Sequence, residues 1–158
     1  MVSPKSPKPA NAERRLSELG IELGPAPTPI GAYVESVQTG NLLYLSGILP
    51  VIGHEPKFIG RLGREYNVEQ GREAARIAAL NVLSAARNHL GSLDKVTRVV
   101  RLVAYIATEG DFSALRAFHS ACQSCWRSSS KFEPEGARDT RPFFPSTYEL
   151  SFTTVCRF

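Results

Sequence analysis

Cysteine, tryptophan and methionine are scarce: the 158-residue chain has three, one and one. Cys122, Cys125 and Cys156 are an odd number of thiols, and the opening Met1-Val2-Ser3-Pro4-Lys5 lacks the apolar region of a secretory signal. A disulfide framework is therefore not expected; reduced thiols and a cytoplasmic location are. Cys122-Gln123-Ser124-Cys125 has the spacing of half a zinc site, but no second pair exists, and His54, His89 and His119 repeat no ligand spacing. No metal site is expected. Long apolar runs are missing too, since no stretch approaches the roughly 18 to 20 residues of a membrane span. Nor is there a concentrated charge of one sign. Nineteen Lys and Arg against 15 Asp and Glu leave a net charge of +4, with the basic residues spread along the chain. A nucleic-acid footprint clusters its cations on one face, so a mildly basic surface is expected instead.

What is present is 42% hydrophobic and 22% charged residues, a balance that suits one folded domain with a single core. Residues 1–11 combine Pro4, Pro7, Pro9, Ser3, Ser6 and two lysines with no large apolar residue after Val2. Such a segment cannot offset its ordering entropy and reads as a disordered tail, which leaves 12–158 for the domain. Ala12 to Leu19 predicts a short helix with Leu16 and Leu19 on one face, closed by Gly20. Pro25, Pro27 and Pro29 mark an extended connector.

Tyr33 to Thr39 and Leu42 to Ser46 flank Gly40-Asn41, a two-residue turn whose positive φ values match the twist of a hairpin. Ile52 to Arg64 is turn-rich. Asn67, with Gln70 three residues on, forms a capping-box signature, and Gly91 closes a long helix whose Ala75, Ala79, Val82 and Ala86 recur at helical spacing. So many alanines predict close approach to a flat surface such as a sheet. Val96 to Ala107, rich in β-branched residues, reads as a central strand. Asp111 is placed to cap a second helix carrying Leu115, Phe118 and Cys122, and Tyr148 to Phe158 returns to strand character. The order β-β-α-β-α-β predicts an α+β fold: one mixed sheet with two helices packed on one face. Its other face, with the nearly all-apolar strand Leu42 to Leu45, then needs cover from further copies of the chain, and a homotrimer formed by sheet packing is expected.

Pro29-Ile30-Gly31-Ala32-Tyr33, Gly40-Asn41-Leu42-Leu43-Tyr44-Leu45-Ser46-Gly47-Ile48-Leu49-Pro50, the helix through Ala74-Ala75 and Asn81, and Val96 to Ala107 resemble the RidA (YjgF-type) reactive intermediate imine/enamine deaminases, as a divergent branch. The resemblance covers about residues 13–115. It implies a chorismate-mutase-like fold and a homotrimer with sites between subunits. The implied activity is metal-free hydrolysis of a 2-imino or 2-enamino acid to a 2-keto acid and ammonia, with no cofactor. Such chemistry needs a cation that holds a carboxylate in two-point geometry, a small polar platform, and a group that sets water against the C=N carbon. Arg141, in Thr140-Arg141-Pro142, matches the family's carboxylate-gripping arginine. Tyr33 matches the tyrosine that closes the cleft. Ser46 and Gly47 match the strand-end pair whose backbone approaches the ligand, and Ile48 replaces a polar residue common there, which favours an apolar substrate.

Two departures bear on activity. Where the family usually has a Val-Glu pattern in the last strand, this chain has Cys156 and Arg157, so the acid that orients the attacking water is missing; Glu149 lies well before that point. Gln123 to Lys131 stands where the family has an amphipathic helix, yet it has no helical stripe. Read from the third base of the Gln123 codon, this run can spell Glu-Leu-Leu-Glu-Val, close to the family's helix. Val155-Cys156-Arg157 read one base late can spell Cys-Val-Asp. Local frameshifts explain both departures, and true divergence is the alternative. Three functional readings follow: a deaminase, a non-catalytic trimer that binds a small carboxylate or a regulatory partner, and an endoribonuclease, which lacks a His pair for acid-base work.

Overall fold

The computed structural model describes residues 11–109 and 150–158, apart from Ile30 and His54. Helix α1 spans Ala12–Glu18, and strands β1 (Ser36–Thr39) and β2 (Leu42–Ile48) form the expected hairpin. The short strands β3 (Val51–Ile52) and β4 (Glu55–Pro56) pair with each other; helix α2 is Val68–Leu90; β5 is Arg98–Ile106 and β6 Leu150–Arg157. Residues 1–10 of the tail, the helix expected after Asp111, the Gln123 to Lys131 run and Arg141 lie outside the described residues.

The main sheet has the order β1-β2-β6-β5, every neighbouring pair antiparallel. Leu62 adds a parallel bridge to Thr108 just beyond β5. Its N–H donates to the Ala107 carbonyl at 3.0 Å and its carbonyl accepts from the Glu109 N–H at 2.9 Å; where a mixed sheet was expected, the four described strands are antiparallel throughout and this isolated bridge is a parallel pairing beside them. One expectation needs correction: the middle of the described sheet belongs to β2 and β6, and β5 lies outside β6. Composition makes β5 look the more deeply buried, but strand order is set by pairing between distant segments, which composition does not encode.

Helix α2 begins as its caps dictate. The Asn67 side chain accepts from the Gln70 N–H at 2.9 Å while the Gln70 side chain accepts from the Asn67 N–H at 3.0 Å. It ends at Gly91, whose φ of 79° is costly for any residue with a Cβ. Ala74, Ala75, Ala78, Ala79, Val82, Ala85 and Ala86 are buried along its inner face. Their small side chains let the helix axis sit close to β2 and β6, where Leu43, Leu45, Thr154 and Cys156 complete the core.

Helix α1 joins this core near the C-terminal end of α2. Ala12 and Leu16 are buried, whereas Leu19, expected on the same face, is the C-cap residue and 39% exposed. The Glu13 carboxylate accepts from the Leu93 N–H at 2.9 Å and meets Arg87 at 3.0 Å, fixing α1 against its neighbours. No helix among the described residues is long and apolar enough to cross a membrane.

Candidate functional site

A cleft opens where the start of the hairpin meets the end of β2. It encloses roughly 420 Å³ of space, its mouth included, and is walled by Pro27 to Pro29, Tyr33, Glu35, the run Ser46 to Leu49, Val51 and Gly53.

Three local features build it. First, the prolines restrict φ along a connector that forms neither helix nor strand, and Pro27 to Pro29 wall the cleft. Second, β2 carries a bulge. Leu45 pairs with Thr154 and Ile48 with Phe152, so Ser46 and Gly47 together face one residue of β6. Strict alternation would put Leu45 and Ile48 on opposite faces, yet both are buried. The extra residue turns the strand by half a period and places the Ser46-Gly47 backbone at the cleft, the usual use of a bulge beside a site. Third, Asn81 of α2 donates from Nδ2 to the carbonyls of Leu49 (3.0 Å) and Val51 (2.9 Å). The wall Leu49-Pro50-Val51 is thus tied to the helix.

The facing strand is equally constrained. The Ser46 N–H donates to the Glu35 carbonyl at 2.9 Å, so Glu35 stands directly across from Ser46. His89 of α2 brackets the strand beyond it, with Nδ1 2.9 Å from the Ser36 hydroxyl and Nε2 3.2 Å from Gln38 Oε1.

Four residues expected at the site, Tyr33, Ser46, Gly47 and Ile48, therefore meet in one cleft. Tyr33 is 47% exposed at the mouth; Ile48, 4% exposed, belongs to the core as much as to the cleft and offers it little surface. Arg141, the fifth, lies outside the described residues. Sequence reasoning passed over Glu35, although alternation along an extended chain puts residues 33 and 35 on one side. Its Oε1 is covered and has no hydrogen-bond partner among the described residues. Desolvation raises its pKa above the ordinary carboxylate value. Asn81 was noted as part of a matching helix, but not as the residue that holds a wall of the cleft.

The chain is similar to known proteins in sequence and in fold. Residues 24–125 match the model of the family described as endoribonuclease L-PSP. Protein TCP17 of Trypanosoma cruzi is 39% identical over 98 residues, which cover 62% of this chain and 61% of that protein. The chain thus matches about three-fifths of the length of that curated relative. The crystal structure of Atu1372 from Agrobacterium tumefaciens, a protein of unknown function, superposes with a TM-score of 0.75 at 26% identity, covering 92% of both chains. E. coli TdcF, solved with bound serine, shares the fold at a TM-score of 0.53 and 18% identity, over 84% of this chain and 93% of that one. The described elements have the chorismate-mutase-like arrangement of such proteins. With the family match spanning the hairpin, the bulge, α2 and β5, this chain belongs to the endoribonuclease L-PSP family, also called the YjgF/RidA family.

Proposed function

We propose that the protein is a hydrolytic deaminase of reactive 2-imino or 2-enamino acids, releasing a 2-keto acid and ammonia. The observation that carries this reading is the convergence of Tyr33, Ser46 and Gly47 on one small cleft, the chemistry that the resemblance assigns to them being recognition of a small carboxylate beside a C=N group. Serine in a protein of the same fold is a ligand of that size and class. In this reading Arg141 grips the substrate carboxylate, the backbone at Ser46 and Gly47 lies along the substrate, and Tyr33 covers it. The assembly is a homotrimer whose copies cover the open face of the sheet, where Val37 and Tyr44 stand 50% and 45% exposed.

The test is keto-acid formation from an imine generated in situ by an amino-acid oxidase. The wild-type protein accelerates it. Arg141→Ala lowers the rate about 30-fold or more, and Arg141→Lys, which keeps the charge but loses the planar fork, fails nearly as badly. Inactivity of the wild type would instead favour a binding-only trimer, and cleavage of RNA under the same conditions would favour the endoribonuclease reading.

A further inference from the structure

We propose that Glu35 is the proton-transferring residue of this cleft, accepting the proton of the water that attacks the C=N carbon and returning it to the departing nitrogen. The inference rests on the deaminase reading and deepens it by naming a group for the role left open by Cys156 and Arg157 in the last strand.

Glu35 is a half-buried carboxylate without a structural pairing among the described residues. It forms no salt bridge among the described residues, and its Oε1 is covered without a partner. Among the described residues the other walls offer no compensation: Pro27, Thr28, Pro29, Ser46, Gly47, Ile48, Leu49, Val51 and Gly53 carry no charge, and Tyr33 is the other described ionisable residue lining the cleft. Covered polar atoms are nearly always satisfied; with Oε1 covered, the other carboxylate oxygen is the one placed here toward a donor in the cleft. A protonated imine and a water molecule are both donors. Position agrees, since Glu35 lies across from Ser46 through the 2.9 Å backbone hydrogen bond and lines the same cleft as Tyr33. Its raised pKa moves the carboxylate toward working pH, where a base of matched strength transfers protons best.

The step balances. The water oxygen bonds to the imine carbon as the C=N π pair moves onto nitrogen, and a water proton passes to the Glu35 carboxylate, giving a neutral carbinolamine. The Glu35 carboxyl then protonates the nitrogen. The C–N bond breaks as the hydroxyl oxygen forms the C=O bond, and the hydroxyl proton leaves with the ammonia as ammonium. Starting from the iminium ion, the products are keto acid and ammonium, with Glu35 again a carboxylate and no redox partner required.

The experiment compares the full-length wild type with Glu35→Gln, Glu35→Asp and Glu35→Ala, using the imine of leucine generated by an amino-acid oxidase. Expected are a fall in kcat of about 100-fold or more in Glu35→Gln with little change in KM, and loss of the acid limb of the pH-rate profile. Partial activity is expected in Glu35→Asp, and rescue of Glu35→Ala by added formate, a small carboxylate that can enter the space left behind. Unfolding midpoint and oligomer size control for folding. An active wild type with Glu35→Gln unchanged in rate and acid limb overturns this role and leaves the deaminase reading standing. Loss of activity without formate rescue, together with a lowered unfolding midpoint in Glu35→Gln, overturns it in favour of a structural carboxylate. An inactive wild type overturns both readings together.

Discussion

Leu43 and Tyr44 are neighbours in β2, yet Leu43 is wholly buried and Tyr44 is 45% exposed. The same contrast runs across the sheet. Cys156 and Val99, paired in register on the α2 side, are almost completely covered, while Val37, opposite Tyr44 on the other side, is half exposed. The apolar residues of β2 thus lie on both faces but receive cover on one. The helix face is satisfied within the chain because α2 presents alanines that lie flat on it. The open face has no such element among the described residues, and in the proposed trimer further copies supply it. Apolar surface of this kind is stabilising only once it is covered, so the two faces should answer differently to the same substitution.

The largest effect is expected at Leu43. Leu43→Ala should cost about 2–5 kcal/mol, because the tightly packed alanines of α2 cannot collapse into the cavity. Urea unfolding measures it, and a loss well under 1 kcal/mol would show that the helix face is loosely packed. Asn81→Leu follows. It strips the Leu49 and Val51 carbonyls of their donor and should cost about 1–3 kcal/mol in the same assay, with weaker binding of a keto acid by calorimetry because the cleft wall is released. Tyr44→Lys, on the open face, should change the unfolding free energy of a single subunit by less than about 1 kcal/mol. Light scattering should nonetheless show smaller particles. A variant that still assembles fully would remove Tyr44 from the contact.

Two groups inside the helix face sharpen the comparison at smaller scale. The Thr154 hydroxyl is buried with no partner among the described residues, so Thr154→Val should stabilise by about 1 kcal/mol. A loss instead would reveal a hydrogen bond. Burial pushes the Cys156 thiol from the usual 9.0 up to about 12. As pH rises past 9, the unfolded chain gives up this proton while the folded one keeps it, so the folded state loses stability between about 9 and 12. Cys156→Ala should flatten that part of the pH-stability curve, and in the wild type the Cys156 thiol should stay unreactive to thiol reagents at pH 8 until the chain unfolds.

Local chemistry made much of this molecule legible from residue types alone. The capping box at Asn67 and Gln70, the left-handed Gly91 and the Gly40-Asn41 turn each act within a few residues, so the ends of α2 and the hairpin follow from short-range sterics and hydrogen bonding. The family match likewise runs through these segments and stops at residue 125, inside the Gln123 to Lys131 run where the helical stripe is lost. Tertiary structure decided the rest. Whether β5 or β6 lies beside β2, where β2 inserts its extra residue, and that Asn81 ties the cleft wall to α2 all depend on contacts between segments 30 or more residues apart in the chain. Glu35 is the sharpest case: in the sequence it is one more polar residue of a half-exposed strand, and the folded wall around it covers one oxygen of its carboxylate.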